Sequence, residues 1–195
     1  MNIIEINNKD SLETTLKVLS RGGIVVFPTD TVYGIGCALN DKAIKKLYQI
    51  KHRPLSKPTA ILLNTKIVIH FMRMPKGEHK MWYGFEKILK QYPKGKVTVV
   101  VEAENFKIKF PKILLKDNKI GVRFPDDKYL EKLIDEVGPI VASSANIAGE
   151  KTPKKFDDIS ANLLSQADLV IKSDKISSAS PSTVYDIELN KIIRN

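Results

Sequence analysis

The stretch Ile24-Val25-Val26-Phe27-Pro28-Thr29-Asp30-Thr31-Val32-Tyr33-Gly34 joins a wholly apolar run to a polar turn. Four apolar residues in succession are typical of a strand that is covered on both faces of a sheet. If the backbone stays extended beyond this run, side chains alternate, and Thr29, Thr31 and Tyr33 share one face. Three hydroxyls at the end of a strand predict a site for a small polar ligand. Asp30 lies on the other face in this interpretation, where we expect it to cap the backbone or to pair with a cation.

The elements predicted around this stretch alternate between strands and helices. In a chain of 195 residues, this alternation indicates an α/β fold with layers around a largely buried sheet, and a single domain over residues 1–195. The strand predicted at 182–187 is expected to close the sheet. Apolar spacing and capping residues predict helices over 10–21, from 41, over 81–89, 127–137 and 156–166, and strands over 24–27, 59–63, 96–101, 119–124, 139–142, 168–171 and 182–187.

The composition is that of a globular protein with an excess of positive charge. Hydrophobic residues make up 43% and charged residues 28% of the chain, and the net charge is +10. This excess predicts polyanionic partners, either nucleotides or nucleic acid, although many lysines simply solvate helix faces. No apolar run reaches the roughly 20 residues of a membrane span, and the first residues lack signal-peptide features. With a single cysteine, Cys37, which we expect to be buried, these features predict a cytoplasmic protein without disulfides or membrane association.

A group of cations follows the second predicted helix, in Lys51-His52-Arg53-Pro54 and Lys57-Pro58. A residue before proline is pushed out of the helical region, so we expect Arg53 to be extended. Lys51 and Arg53 then project to one side, and His52 projects to the other. Three cations on a stiff turn predict a triphosphate site, in which the arginine supplies a planar fork and the lysines supply point charges. The alternative is an ordinary solvated basic loop.

Small polar residues, Ser143-Ser144-Ala145-Asn146, follow the strand predicted at 139–142. The carboxyl end of a strand is a common binding position in α/β sheets, so this segment is a candidate binding loop. A serine nucleophile is the competing interpretation, but the sequence has no Gly-x-Ser-x-Gly elbow. It also lacks metal-ligand spacings, a Walker loop and a Gly-x-Gly-x-x-Gly motif. We therefore predict no metal site of the protein's own, and a nucleotide that is held by side chains.

Taken together, these segments resemble the YrdC/TsaC-like threonylcarbamoyl-AMP synthase family, in its short form without an extra C-terminal domain. The resemblance covers almost the whole chain, from Gly22 to Arg194, and its markers follow the family order. Each marker is short, whereas their joint occurrence is specific. The markers are Pro28-Thr29-Asp30-Thr31-Val32-Tyr33-Gly34, Lys51-His52-Arg53-Pro54 with Lys57-Pro58, Arg123-Phe124-Pro125, Ser144-Ala145-Asn146 and Pro181-Ser182-Thr183.

The resemblance implies a three-layer α/β domain with a strongly twisted, mixed parallel and antiparallel sheet, flanked by helices around a basic concave groove. It implies an enzyme that joins L-threonine, bicarbonate or carbon dioxide, and ATP with Mg²⁺ into threonylcarbamoyl-AMP and pyrophosphate. In the family, the product supplies the threonylcarbamoyl group for adenosine 37 of tRNAs that read ANN codons. An implied partner is therefore tRNA, either directly or through a downstream transferase complex.

The resemblance also implies roles for individual residues. Lys51 and Arg53 are the implied catalytic cations. ATP would be bound by Lys51, Arg53, Lys57, Asn146, Thr152 and Arg194, L-threonine would be bound by Thr31, Arg123, Ser144 and Ser182, and the pocket would also be lined by Thr29, Tyr33, Thr98 and Ser143.

One turn departs from the family pattern. Family members have Pro-Gly-Pro-x-Thr before a central strand, whereas this chain has Lys94-Gly95-Lys96-Val97-Thr98. Because proline fixes φ, we expect this turn to be more flexible. Two other function classes stay open. One is an RNA-binding module that contacts phosphates without nucleotidyl transfer. The other is the carbamoyl transfer of hydrogenase-maturation proteins, whose zinc-finger and acylphosphatase modules are missing from this sequence.

Overall fold

The computed structural model describes residues 2–73, 80–174 and 182–194, and within them ten strands form one sheet. The strands are β1 (Ile3–Glu5), β2 (Val25–Phe27), β3 (Gly34–Ala38), β4 (Ile61–Leu62), β5 (Val97–Glu102), β6 (Lys119–Arg123), β7 (Ile140–Ser144), β8 (Leu169–Lys172), β9 (Thr183–Asp186) and β10 (Lys191–Arg194). The helices are α1 (Ser11–Ser20), α2 (Asp41–Ile50), α3 (Thr65–Phe71), α4 (Lys80–Gln91), α5 (Lys128–Val137) and α6 (Ala161–Gln166), with 3-10 turns at Ala103–Asn105, Lys112–Leu114 and Phe156–Asp158.

The sheet is mixed, as the family resemblance implies. The strand order is β1-β8-β2-β3-β7-β4-β6-β5-β9-β10. β8 pairs in parallel with β1 and β2, β4 pairs in parallel with β6, and β5 pairs in parallel with β9, while the other neighbours are antiparallel. Because this order differs from the chain order, segments that are far apart in the sequence meet in the middle of the sheet.

Helices cover both faces of the sheet, which produces three layers. Val25 and Phe27 of β2 belong to a core cluster with Leu130 of α5, whereas Val26 belongs to a second cluster with Ile44 of α2. All three side chains of β2 are fully buried. The prediction of a strand covered on both faces is therefore confirmed, and its physical reason is that neighbouring residues of one strand point into different cores.

The strand does not continue into the polar turn, so the alternation expected for Thr29, Thr31 and Tyr33 is wrong. β2 ends at Phe27, and residues 28–33 form a loop that leads into the antiparallel β3. Two local features explain this ending. Pro28 cannot donate to a ladder, and the Thr29 side chain offers the backbone N–H groups that follow it an alternative acceptor.

Four elements have no clear pattern in the sequence, namely β1, β3, α3 and β10. β3 has glycines at two of its five positions, so it lacks the alternation of a typical strand. The glycine at 36 is nevertheless required, because a Cβ there would lie 2.6 Å from the carbonyl O of Val141 on β7. In α3, successive β-branched residues at 67–69 favour a strand over a helix. β10 pairs with the outer side of β9, so the strand predicted at 182–187 does not close the sheet.

The helix predicted over 156–166 is two elements. Phe156–Asp158 forms a 3-10 turn, and Ser160 begins a new helix because its Oγ accepts a hydrogen bond from the N–H of Leu163 at 3.3 Å. A serine at this position satisfies an N–H that the helix itself leaves without a partner. The other predicted helices and strands are present within a few residues of their predicted ends.

Candidate functional site

A cavity of about 650 Å³ lies against the middle of the sheet and extends to β9 and β10. Its volume suits a ligand of the size of a cofactor or nucleotide. Four residues that were singled out from the sequence do not line it, namely Tyr33, Lys51, Lys57 and Asn146. The others do, and they are Thr29, Thr31, Arg53, Thr98, Arg123, Ser143, Ser144, Thr152, Ser182 and Arg194.

The loop between β2 and β3 presents two threonines to the cavity. Thr29 Oγ1 accepts hydrogen bonds from the N–H groups of Thr31 at 3.0 Å and Val32 at 3.2 Å, and it donates to the carbonyl O of Val32 at 2.7 Å. This turn brings Thr31 Oγ1 to 3.1 Å from Thr29 Oγ1. The two hydroxyls share a face because of this turn. Gly34 then allows β3 to approach, since a Cβ there would lie 3.0 Å from the Phe27 ring.

Tyr33 does not line the cavity, which contradicts the sequence prediction. Its ring is 1% exposed and packs edge-on against Phe156, with the ring centroids 6.4 Å apart. Its hydroxyl donates to the carbonyl O of Ser173 at 3.2 Å and accepts from the N–H of Ser173 at 2.8 Å. Burial raises the pKa of Tyr33 to about 12. Tyr33 therefore anchors the loop to the residue that follows β8, outside the cavity lining.

Arg123, at the end of β6, is held by three acceptors. Its Nη2 donates to Asp30 Oδ1 at 2.6 Å and to Thr31 Oγ1 at 2.8 Å, and its Nε donates to the carbonyl O of Gly95 at 3.0 Å. The prediction that Asp30 pairs with a cation is therefore confirmed. Within the described residues, the two N–H groups of Nη1 have no partner, and the side chain lines the cavity. An oriented guanidinium with one open edge suits a carboxylate.

Gly95 makes the arrangement around Asp30 possible. Its φ is +76°, and a Cβ at this position would lie only 1.7 Å from Asp30 Oδ2. A side chain here would therefore both strain the backbone and displace the carboxylate. Lys96 also supports this loop, because its Nζ donates to the carbonyl O of Asp30 at 3.1 Å. The turn at 94–98 lacks the prolines of the family pattern but keeps Gly95, and the ion pair between Asp30 and Arg123 requires this glycine.

A second polar group comes from the parallel pair β5 and β9. Thr98 Oγ1 and Ser182 Oγ lie 2.8 Å apart. Arg194 reaches back from β10, and its Nη2 donates to the carbonyl O of Ser182 at 3.1 Å. The structure therefore brings residues 98, 182 and 194 together at the cavity wall, while Pro181 of the same motif lies outside the described residues.

The C-terminal end of α2 differs from the extended turn that the sequence predicted. The N–H of His52 donates to the carbonyl O of Gln49 at 3.0 Å, and the N–H of Arg53 donates to that of Tyr48 at 2.9 Å. His52 has φ +48°. This is a Schellman motif, with histidine at the position that glycine usually occupies. Lys51 and Arg53 therefore do not project together, and the Lys51 side chain is 2% exposed and outside the cavity lining.

Arg53 is the cation of this turn that reaches the cavity. Its Nε donates to the carbonyl O of Lys57 at 2.8 Å, and its Nη2 donates to that of Pro58 at 2.7 Å. Its guanidinium carbon lies 5.9 Å from the centroid of the Tyr48 ring. These contacts hold the guanidinium at the wall, and its remaining N–H groups can bind an anion. Lys57 is exposed at the edge of this turn.

In the segment 143–146, the two serines line the cavity, whereas Asn146 does not. β7 continues to Ser144, which lies opposite Gly34 of β3. Ser143 and Ser144 line the cavity. Asn146 does not, because its Oδ1 accepts from Ser144 Oγ at 2.5 Å and its Nδ2 donates to the carbonyl O of Glu150 at 2.7 Å. Asn146 thus orients Ser144 and braces the following loop.

Two features of the cavity wall were missed by the sequence analysis. Thr59 lines the cavity, and its Oγ1 is buried without a hydrogen-bond partner in the described part of the chain. At the far end, Lys119 Nζ donates to the two carboxylate oxygens of Asp186 at 3.1 and 2.9 Å. Lys119 and Asp186 are 67 residues apart in the sequence, so no local spacing could reveal their contact.

Among the described residues that line the cavity, the charged ones are mainly basic, and the acids are Asp117 and Asp186. The two described histidines, His52 and His70, do not line it. Over residues 2–73, 80–174 and 182–194, no group of three or more His, Cys, Asp or Glu side chains could hold a metal ion. Among the helices of those same residues, none has the length and apolar character that a membrane span requires. The basic side chains of the lining are Arg53, Lys116, Lys119, Arg123, Lys191 and Arg194.

Comparison with known proteins identifies the family. A family model described as telomere recombination, under the names Sua5, YciO and YrdC, matches residues 17–195. This protein therefore belongs to the Sua5/YciO/YrdC family. A protein of Methanocaldococcus jannaschii with the provisional name threonylcarbamoyl-AMP synthase is 35% identical over 195 residues, which cover 98% of this chain and 88% of the relative.

Two solved structures have the same fold. Escherichia coli YciO superposes with a TM-score of 0.79 at 19% identity, over 100% of this chain and 93% of that chain. Sua5 of P. abyssi in complex with L-threonine superposes with a TM-score of 0.77 at 24% identity, over 95% of this chain and 53% of that chain. This chain thus spans about half the length of Sua5. Both likenesses confirm a mixed sheet flanked by helices.

Proposed function

We propose that this protein is a threonylcarbamoyl-AMP synthase, which joins L-threonine, bicarbonate or carbon dioxide, and ATP into threonylcarbamoyl-AMP and pyrophosphate. One observation carries the proposal, namely that two arginines in different settings face a single cavity. Arg123 is paired with Asp30, whereas Arg53 has only carbonyl oxygens as acceptors within the described residues. The first setting suits a carboxylate and the second suits a phosphate. Family membership and the name of the M. jannaschii relative support the same activity.

The threonine end of the cavity is proposed to lie around Arg123. The open Nη1 edge of Arg123 would bind the threonine carboxylate, and the hydroxyls of Thr31, Ser144 and Ser182 lie on the surrounding wall. Leu62 also lines the cavity and offers an apolar surface for the threonine methyl group. A Sua5 structure that contains L-threonine has the same fold, which supports L-threonine as the ligand of the proposed site.

The ATP end is proposed to lie between Arg53 and Arg194. Both side chains line the cavity, as does Thr152, and the guanidinium groups match the oxygens of a triphosphate. Lys57 would add charge from the exposed edge of the same turn. Asn146 and Lys51 would act from behind the wall, since neither lines the cavity.

The chemical step follows from these positions. The amino group of threonine and bicarbonate form a carbamate with release of water, and a carboxylate oxygen of the carbamate then attacks the α-phosphorus of ATP. The bond from that phosphorus to the bridging oxygen breaks, and pyrophosphate leaves. A preformed carboxylate needs no general base, so positioning and charge carry the catalysis. Arg53 and Arg194 would stabilise the charge on the phosphates, while Arg123 and Ser144 orient the threonine moiety.

Mg²⁺ enters this proposal with ATP as part of the substrate. The described residues form no cluster of three acidic, histidine or cysteine ligands, so phosphate oxygens and water would supply the coordination. The product would then pass to tRNA, directly or through a transferase complex, in the cytoplasm.

Pyrophosphate release tests the proposed function. Release is expected only when threonine and bicarbonate are both present with MgATP. Serine, which lacks the methyl group, is expected to react less efficiently by about 1–3 kcal/mol of transition-state binding. Arg53→Met should abolish most of the release, whereas Arg21→Met, at an exposed arginine beyond α1, serves as the matched control. Pyrophosphate release that is indifferent to threonine would refute the proposal.

A further inference from the structure

Lys51 is a buried lysine that binds the loop after β7. It follows α2, and its side chain is 2% exposed. Its Nζ donates to the carbonyl O of Ser144 and, at 2.6 Å, to that of Asn146. Its own carbonyl O accepts from the N–H of Ala148 at 2.8 Å. Three hydrogen bonds from one residue therefore tie the end of α2 to residues 144–148.

No carboxylate balances the Lys51 ammonium within the described residues, because no ion pair there includes it. Burial, and to a smaller extent the neighbouring charge of Arg53, lower the pKa of Lys51 to about 8, and Glu150 acts in the opposite direction. An apolar side chain of similar length would fill the same space without the desolvation penalty of a charge. Packing alone therefore does not explain a lysine at this position.

The hydrogen bonds of Lys51 hold the backbone on both sides of Ala145, next to Ser144. Ser144 lines the cavity, and its hydroxyl donates to Asn146 Oδ1 at 2.5 Å. From the other side, the N–H of Ala145 donates to the carbonyl O of Tyr33 at 2.8 Å. The loop is thus held between β3 and the end of α2. Without the ammonium, two carbonyl groups that point inward would lose their donor, and the loop would gain other conformations.

We propose that Lys51 is a positioning residue, whose ammonium holds residues 144–148 in the conformation that presents Ser144 to the cavity. It acts on a bound ligand through this loop and does not contact a phosphate. This assignment differs from the family resemblance, which implies that Lys51 binds ATP. It rests on the proposed function only for the identity of the ligand, since the loop contacts exist in the protein alone.

Hydrogen exchange of the ligand-free protein tests the positioning role. In Lys51→Met, the amides of Ala145, Asn146 and Ala148 are expected to exchange roughly tenfold faster or more, while the amides of β2 and β8 keep their rates. Lys45→Met changes an exposed lysine on the same helix and is the matched control. Arg53→Met is expected to leave these three amides unchanged, because Arg53 does not bond to the loop.

Two outcomes of this exchange experiment would overturn the proposal. One is an unchanged rate at residues 145–148 in Lys51→Met. The other is a rise that extends equally to β2 and β8, because Lys51 would then support the whole fold and not this loop. If Lys51→Met does not fold, Lys51→Gln keeps a shorter donor and is measured in the same way, with a smaller rise expected at the same amides.

Binding titrations distinguish this role from a direct phosphate contact. The loop that Lys51 holds carries both Ser144 of the threonine end and Asn146, which stands behind the ATP end. Lys51→Met is therefore expected to weaken the binding of both threonine and ATP, each by roughly tenfold, whereas Arg53→Met weakens the binding of ATP alone. Loss of ATP binding alone in Lys51→Met, with unchanged exchange, would assign Lys51 to the phosphates and overturn the proposal. If the unaltered protein binds neither ligand, the proposed function fails, while the exchange rates still decide the role of Lys51.

Discussion

Arg123 and Arg53 face the same cavity in different electrostatic settings. Arg123 lies 2.6 Å from the Asp30 carboxylate, and these two side chains are only 13% and 7% exposed. Arg53 donates to carbonyl oxygens, and so does the neighbouring Lys51. The first region is locally neutral, so it can fix one singly charged group in place. The second keeps its positive charge, which attracts a polyanion.

This difference shows why the total charge is a poor guide to the site. The net charge of +10 is a sum over the whole chain, and it does not reveal that one cavity arginine is neutralised and another is not. The distinction depends on which acceptors the fold places beside each guanidinium. Substitutions that remove a charge from one region at a time therefore test whether the two regions act separately.

The largest effect is expected in the neutral region. Asp30→Asn removes the charge that balances Arg123, and breaking a buried ion pair from one side costs roughly 3 kcal/mol of unfolding free energy. Urea unfolding measures this loss. The threonine KM should change less, because Asp30 does not line the cavity. Glu13→Gln is the control, since it breaks the exposed pair with Lys17 and should leave the unfolding midpoint unchanged. A fully stable Asp30→Asn protein that cannot bind threonine would contradict the assignment.

The next effect should separate the two ligands. Arg53→Met removes charged hydrogen bonds worth about 1.5–3 kcal/mol, so ATP should bind roughly 10- to 150-fold more weakly while threonine affinity holds. Arg123→Lys keeps a positive charge beside Asp30 but loses the planar guanidinium, so the affinity for threonine should fall while the affinity for ATP stays unchanged. Calorimetric titration measures both affinities. If either variant weakens the two ligands equally, the two regions do not act separately.

The charged region should also leave a pH signature in stability. Burial lowers the pKa of Lys51 to about 8 from its ordinary 10.5. Between these values the unfolded chain binds more protons than the folded chain, so the contribution of Lys51 to the unfolding free energy rises with pH. From about pH 7 to about pH 10.5, the unaltered protein should therefore gain stability relative to Lys51→Met. A constant difference between the two unfolding curves over this range would disprove the linkage.

The smallest effect is expected at the wall between the regions. Thr59 Oγ1 is buried without a partner in the described chain, so Thr59→Val should raise stability by about 1 kcal/mol, or about 2–4 °C in Tm. Thr31→Val is the matched substitution, because Thr31 Oγ1 accepts from Arg123 at 2.8 Å and its loss should weaken threonine binding without unfolding the protein. If Thr59→Val instead weakens threonine binding, the Thr59 hydroxyl of the unaltered protein contacts the ligand.

Elements with strong local patterns were predictable from the sequence. The apolar run at 24–27 and the apolar spacing of α2 and α5 are properties of neighbouring residues, and they reveal buried strands and helix faces directly. β3 was not predictable, because it has no alternating pattern. Gly36 is required by the close approach of the β7 backbone, which is a long-range contact. β10 was missed for a related reason, since this exposed strand is defined by its pairing with β9.

Ten of the residues that line the cavity could be named from the sequence. Some, such as Thr29 and Ser144, are polar residues beside predicted strands, whereas Arg123 and Arg194 were named only through the family resemblance. Which of these side chains face the cavity, and which of them are paired with an opposite charge, follows from the folded structure. A Schellman turn at His52 buries Lys51 and leaves Arg53 at the wall, although two-residue spacing predicted that they would project together. Asp30 and Arg123, 93 residues apart, become partners through contacts that form only on folding. Side-chain direction and charge pairing depend on these long-range contacts, which no local pattern contains.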